Sequence, residues 1–575
     1  MTEFIAPTVD WAALSPVVIV LLAAVVGVLV EAFVPARVRR TVQLALAVVA
    51  LAGAIIAVAA LWSGVEETGG TVVLGGSLLV DGPTLVLQAT IALLALISLL
   101  IIADRTETGE DAFAPNAAAV PGSDYEELAR RKGVQQTEIY PLVLFATGGM
   151  LIFPAAGDLL TLFVALEVLS LPLYLLTGMA RRRRLLSQEA SMKYFLLGAF
   201  SSALLLFGIA LVYGYSGSLR YSEIAEATQV PGGLDSLLLV GSVLLLSGLL
   251  FKVGAVPFHT WTPDVYQGAP TPITGFMAAC TKAAAFGALL RIVYTMLPGL
   301  AWDLGVVLWT VAILTMVVGT VAALVQTDMK RVLGYSSIAH AGFILTGIIA
   351  LNVAGIVAVL FYLFVYGAAT VGAFGIVWLV RERAVRHGGP EGTHGHSSIL
   401  GEATHLSQWA GLGRTHPLLA LTFALFLLSF AGIPLTAGFA GKFSVFSAAV
   451  EGGAWPLALI GVLASSAAVF FYVRIIVLMF FTEPAGEPDG EPAAAPSGVT
   501  ALAPSAEGFA LAGDAAVSVQ AEPVVQTRST VTTTVVGTEG FAVVAITVCA
   551  LLTIVLGVFP SPVLDLIANV ATFLP

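Results

Sequence analysis

Residues 250–291 read LFKVGAVPFHTWTPDVYQGAPTPITGF and then MAACTKAAAFGALLR. Lys252 and Lys282 each sit inside a run apolar enough to span a bilayer, and the segment between them carries Pro257, Pro263, Pro270 and Pro272. A charge at mid-membrane costs about 2.5–3.5 kcal/mol on insertion scales, so it is rarely there without a role. A helix broken at membrane depth is tolerated only where protein or a water-filled cavity surrounds it. Together these features imply a path for ions or protons through a membrane protein.

The rest of the chain agrees. Of 575 residues, 58% are hydrophobic and only 11% charged, against about 25% charged in soluble domains. The net charge of −11 says little, because the acids cluster in a few loops. Cys280 and Cys549 lie far apart in apolar runs with no CxxC pattern, and read as two core cysteines rather than a disulfide, zinc, haem or iron–sulfur site. No Lys or Arg precedes the first apolar run, the wrong flank for a cleaved signal peptide, so that run is expected to remain as a transmembrane helix. There is no GxxxxGK[ST] and no GxGxxG after a strand. No cofactor, metal or nucleic-acid site is expected on this chain.

At about 20 apolar residues per crossing, the fold class is an all-α polytopic membrane protein of about fourteen helices. They fall at roughly 16–34, 42–62, 83–103, 139–156, 159–178, 189–214, 237–257, 272–297, 303–325, 332–350, 354–380, 417–450, 455–481 and 540–560. The twelfth is interrupted at Gly432, Pro434 and Gly438. With the loop after helix 1 taken as cytoplasmic, eighteen Lys and Arg fall in cytoplasmic loops and one, Arg220, in the opposite loops. Both termini are then expected outside. Three long cytoplasmic insertions stand out: 104–138, 384–416 and 482–538, the last a low-complexity linker by composition. His387, His394 and His396 in HGGPEGTHGHSS read as part of a solvated loop rather than a metal site.

Six basic residues remain inside helices: Lys193, Lys252, Lys282, Arg291, Lys442 and Arg474. Arg291 and Arg474 lie near helix ends, where long side chains snorkel to the headgroups. Lys193, five residues into helix 6, reads equally as snorkelling or buried. Lys252, Lys282 and Lys442 have no such escape. Glu167, mid-helix in TLFVALEVLSLPLYLLTG, is the acid expected to pair with them. Leaving all four charged and unpaired would cost roughly 10–14 kcal/mol. Burial favours the neutral amine and a nearby carboxylate favours the ammonium, so a lysine held between them can exchange a proton. His259 lies seven residues after Lys252, a helical repeat interrupted by Pro257; His340 and Tyr335 lie on helix 10 in LGYSSIAHAGF. These three and Lys193 are the supporting candidates for a proton path.

At these residues the chain resembles the antiporter-like membrane subunits of respiratory complex I and their relatives in Mrp-type sodium/proton antiporters. KVGAVPFHTWTPDVYQGAPTPITGF and DMKRVLGYSSIAHAGF carry the resemblance, which runs over nearly the whole chain apart from the insertions. It implies two inverted five-helix repeats, 139–297 (helices 4–8) and 303–481 (helices 9–13, with loop 384–416), having discontinuous helices 7 and 12. These follow three N-terminal helices, 1–103, and precede one C-terminal helix, 540–575. It implies proton-translocating roles for Glu167 on helix 5, Lys252 on helix 7, Lys282 on helix 8 and Lys442 on helix 12. A lysine at the last position is the choice of one branch of the family, where related branches often place an acid. Fourteen helices without a long lateral helix argue against the branch that has one. The resemblance further implies that NADH, FMN, iron–sulfur clusters and quinone are handled by partner subunits. The implied partners are membrane lipids, an antiporter-like subunit M and the small membrane subunits, in a bacterial plasma membrane. Sodium/proton exchange without electron transfer is the alternative, as is the place of subunit M itself.

Overall fold

The structure is a computed structural model describing residues 9–107, 109–114, 124, 125, 128, 136–229, 235–387, 398–483 and 528–574. In chain order the crossing helices are α1 (Trp11–Phe33), α2 (Ala36–Thr68), α3 (Gly82–Ala103), α4 (Ile139–Ile152), α5 (Leu159–Thr177), α6 (Arg184–Ser216) and α7, in halves α7a (Asp235–Val253) and α7b (Trp261–Gly268). Then follow α8 (Thr271–Met296), α9 (Ala301–Leu324), α10 (Met329–Ile349), α11 (Val353–Leu379), α12 as α12a (Pro417–Ala431) and α12b (Ala437–Glu451), α13 (Trp455–Phe481) and α14 (Phe541–Val558). Twelve described helices are long and apolar enough to cross a membrane; Ile139–Ala155 and the interrupted α12 complete the expected fourteen.

Short polar side chains start several of these helices by accepting otherwise orphaned backbone N–H groups. Asp10 caps α1, Asp81 α3, Asp158 α5, Asp328 α10 and Asn352 α11. Burial sorts the helices into layers. The α8 window is buried throughout and α10 nearly so, whereas α2 leaves most of its apolar surface outward, as a lipid-facing helix does.

Loop contacts support the expected alternation. On one face, backbone bridges join Thr106 to Thr538, Phe113 to Ala180 and Asp328 to His405, and Arg40 pairs with Glu539 at 2.6 Å. These residues belong to the loops expected to be rich in Lys and Arg. On the other face, Leu78 bridges Ala156 and Asp158 bridges Arg220. One helix too many or too few would have placed some of these partners on opposite sides of the bundle.

The all-α membrane fold carries a small sheet on the basic face. There β3 (Val380–His387) pairs with both β4 (Ser398–Glu402) and β5 (Arg528–Val535) in the order β4-β3-β5. Strand β5, RSTVTTTV, is the end of the segment read as a linker; its β-branched residues suit a strand, a signal hidden by the composition before it. A second hairpin, β1 (Thr71–Val73) with β2 (Leu78–Val80), lies on the opposite face. His394, His396 and most of 482–538 lie outside the described residues.

Both expected breaks are present, with shifted positions. Gly254 at φ +77° ends α7a, three residues before Pro257. Gly432 at φ +80° ends α12a, and Gly438 lies inside the first turn of α12b rather than in the break. Both glycines adopt the left-handed conformation that side chains disfavour. Helix α8 also contains two unexpected π-helical turns, Met277–Thr281 and Ile292–Met296. Lys282 directly follows the first, and such turns often mark functional sites.

Candidate functional site

Lys252 is the penultimate residue of α7a and 3% exposed. Its Nζ donates to Ser170 Oγ at 2.8 Å and Tyr194 OH at 3.1 Å, with the rings of Tyr194 and Tyr174 at 5.1 and 5.9 Å. Glu167, Ser170 and Tyr174 stand at i, i+3 and i+7 on α5 and therefore share a face. Glu167 does not pair with Lys252 directly, contrary to expectation. Its carboxylate accepts from Ser202 of α6 at 2.5 Å, and it acts on the lysine only through space. The lysine meets Ser170 instead: the serine hydroxyl donates to Leu166 O at 2.5 Å, leaving its oxygen for the ammonium.

Lys282 is equally buried and donates to the Ser337 carbonyl of α10, with the Tyr366 ring 6.0 Å away. Among the described residues, the Thr281 hydroxyl is buried without a hydrogen-bond partner, while those of Ser337 and Thr370 adjoin the hydroxyls of Tyr266 and Tyr366. An unmade bond at Thr281 would cost about 1–3 kcal/mol, so this spot calls for a water.

Both Lys282 and Lys442 act electrostatically on His340. Its Nδ1 is 2.6 Å from Tyr362 OH and its Nε2 3.2 Å from Tyr472 OH. The imidazole stacks on Tyr366 at 4.7 Å, and Tyr472 in turn contacts Ser336. Lys442, on α12b, completes the set. Its Nζ donates to the carbonyls of Phe430 and Ala431 at 2.7 and 3.2 Å and to Ser465 Oγ at 2.7 Å. Those carbonyls are the free C-terminal end of α12a, where cations are favoured. Thus the helix break makes the binding site for the lysine.

Other candidates lie elsewhere. His259 falls in the loop after α7a, half-buried, so the helical repeat with Lys252 is broken. Tyr335 meets Arg331 at 6.0 Å, nearer the basic face than His340. Lys193 is partly exposed and pairs with Glu189 at 2.7 Å and Asp264 at 2.8 Å; Arg331 shares Asp264 at 2.7 Å. These residues form a network tying α6, α7b and α10. Arg474 remains exposed and reaches Leu324 O at 3.3 Å, as snorkelling implies. Arg291 does not snorkel: it is 1% exposed and bidentate on Asp81 at 2.7 and 2.9 Å.

The sequence reading overlooked the hydroxyl groups of Ser170, Tyr174, Tyr194, Tyr362, Tyr366, Tyr472 and Ser465. Two local signals were present: Ser170 and Tyr174 follow Glu167 at helical spacing, and Tyr362 and Tyr366 are one turn apart. Tyr194, Tyr472 and Ser465 come from other helices and leave no local trace.

Residues 156–467, which contain Glu167 and all three deep lysines, match the family described as NADH:quinone oxidoreductase/Mrp antiporter, TM. The chain is also 60% identical to NADH-quinone oxidoreductase subunit N of Beutenbergia cavernae, over 99% of both chains. The chain belongs to this family. It is 49% identical to NADH-quinone oxidoreductase subunit N of Mycobacterium tuberculosis, again over 99% of both. Among solved structures, respiratory complex I from Thermus thermophilus with bound aureothin contains a chain 29% identical, matched over 96% of this chain and 100% of that one at a TM-score of 0.69. The Mrp complex from Dietzia sp. DQ12-45-1b shares the fold at a TM-score of 0.71 and 22% identity, over 97% of each chain. Helix α12a, with its exposed carbonyl end, and Lys442 therefore lie in the family's matched core.

Proposed function

We propose that this chain is the proton-translocating subunit N of a bacterial NADH–quinone oxidoreductase. Electrons pass from NADH to quinone in other subunits, which hold FMN and the iron–sulfur clusters, and this subunit moves protons in response. The carrying observation is the set Lys252, Lys282, His340, Lys442, in which each deep ammonium is met by hydroxyls or carbonyls and, among the described residues, by no carboxylate within 4 Å. A cation fixed by a permanent ion pair holds its proton; one buried and met only by neutral groups is poised to pass it on. In this reading Glu167 biases Lys252 through space, the proton passes Lys282 and His340, and Lys442 gates release. The two repeats, 139–297 and 303–481, each carry their break in the fourth helix, which supports that division.

Full-length relatives named subunit N at 60% and 49% identity favour this place over subunit M or a sodium/proton antiporter subunit. Lys442 favours it too, as the residue expected of that branch. Subunit M and the small membrane subunits are the proposed neighbours. The basic face is placed toward the cytoplasm of the plasma membrane and both termini outside, supported by the loop charges.

Replacing Lys252 with alanine in the assembled enzyme is expected to depress proton pumping, measured as acidification of proteoliposomes per NADH oxidised. Unchanged pumping with normal assembly would overturn the reading. A purely structural role for the buried charges predicts the reverse pattern: impaired assembly, but normal pumping by what assembles.

A further inference from the structure

Lys330, in the first turn of α10, lies at the basic face yet is 2% exposed. Its Nζ donates to Ala269 O at 2.7 Å, in the turn between α7b and α8, and lies 3.6 Å from Glu402 Oε2 of β4. Glu402 also accepts from Thr271 Oγ1 at 2.6 Å and faces Arg381 at 3.9 Å. The other charges acting on Lys330 are Asp328 and Arg183. Both Lys330 and Glu402 line a cleft on the basic face, together with Arg183, Gln267, Arg381 and Thr404. Burial pushes the Glu402 carboxyl up, but Lys330 and Arg381 outweigh it and hold the group below the usual carboxylate range.

Lys330, Gly334 and Ser337 stand at i, i+4 and i+7 on one face of α10. Ser337 supplies the carbonyl that holds Lys282. Gly334, between them, presents no side chain; its position faces Pro263 and Tyr266 of α7b. The cleft and the deep lysine thus lie at the two ends of one helix face, about 10 Å apart at the helical rise, with Pro263 and Tyr266 of α7b packed along it.

We infer that Lys330 is the proton-loading lysine of the basic face, positioned by Glu402 and delivering to Lys282 along the α10 face. The Lys330 ammonium gives its proton inward to the neutral amine of Lys282 through intervening water and hydroxyls. The amine left on Lys330 then takes a proton from cleft water, so one proton enters and one advances. Glu402 stays ionised throughout and favours reloading. It comes from the β3–β4 hairpin, giving that insertion a part in uptake.

This inference rests on the proposed function, so Lys252→Ala is run beside it in the same membranes. Lys330→Arg keeps the positive charge but gives a guanidinium that does not release its proton. It is expected to assemble and to lower coupled pumping at least fivefold, whereas a structural lysine would be replaced without that loss. Glu402→Gln is expected to shift the pH profile of pumping to the acid side, since reloading loses its counter-charge, and Glu402→Asp to restore it. Normal pumping by Lys330→Arg with an unmoved profile in Glu402→Gln overturns the loading role. If neither variant assembles, the pair is a structural lock and the inference is overturned as well. If Lys252→Ala also pumps normally, the proposed function itself fails.

Discussion

Replacing Arg291 with alanine should destabilise the folded subunit by about 3–5 kcal/mol, the cost of leaving one partner of a buried ion pair uncompensated. Its guanidinium donates to both Asp81 oxygens, to Pro154 O at 2.8 Å and to Thr84 Oγ1 at 2.7 Å, with the Phe573 ring 4.8 Å away. Asp81 meanwhile caps α3 and accepts from the Leu574 backbone at 3.0 Å. The pair therefore ties α3, α8 and the C-terminal tail at one point. Heating the purified complex and following release of this subunit measures the effect: the variant should release it at a clearly lower temperature. Arg291→Lys should fall between, because an ammonium cannot reproduce the two-pronged contact. Combining Arg291→Met with Asp81→Asn, which keeps a capping oxygen, should cost less than the sum of the single changes. Release at the wild-type temperature by Arg291→Ala would contradict this account.

The second large effect is expected at Gly432. Alanine there would have to adopt φ +80°, costing about 1–2 kcal/mol. Its Cβ would also lie 2.9 Å from Cδ of Lys442, forcing that side chain away from the carbonyl end of α12a. Small displacements of reacting groups can cost up to about a hundredfold, so a loss of pumping of roughly tenfold is expected. Gly453 provides the comparison, having φ +82° with nothing within 4 Å of an added Cβ. Gly453→Ala bears the same backbone strain without touching Lys442. Both variants should lose similar stability, measured by thermal release, and only Gly432→Ala should lose pumping. Equal pumping by the two would refute a positional role for Gly432.

Particular residues show what the chain's pattern makes legible. Lys252, Lys282, Lys442 and Glu167 stood out because a charge inside an apolar run is costly wherever the helix packs. Arg291 was misread because nearness to a helix end in sequence means nearness to water only for an outer helix, and α8 is buried along its length. Lys330 shows the converse: a residue at a loop boundary is buried where Glu402 of β4 packs beside it. His259 failed as a partner of Lys252 because the helix ends at Gly254, so spacing no longer fixes direction.

The sequence by itself determined the number of crossings, the two breaks and the deep charges, since each follows from the cost of charges or broken backbone in an apolar setting. Tertiary structure alone decided what each charge meets. Glu167 pairs with Ser202 while Lys252 takes Ser170 and Tyr194, Lys442 sits on the end of α12a, and His340 has tyrosines from α11 and α13 at its nitrogens. Those contacts join residues up to 132 positions apart, and side-chain partners at such separations depend on how helices pack, which local pattern does not encode.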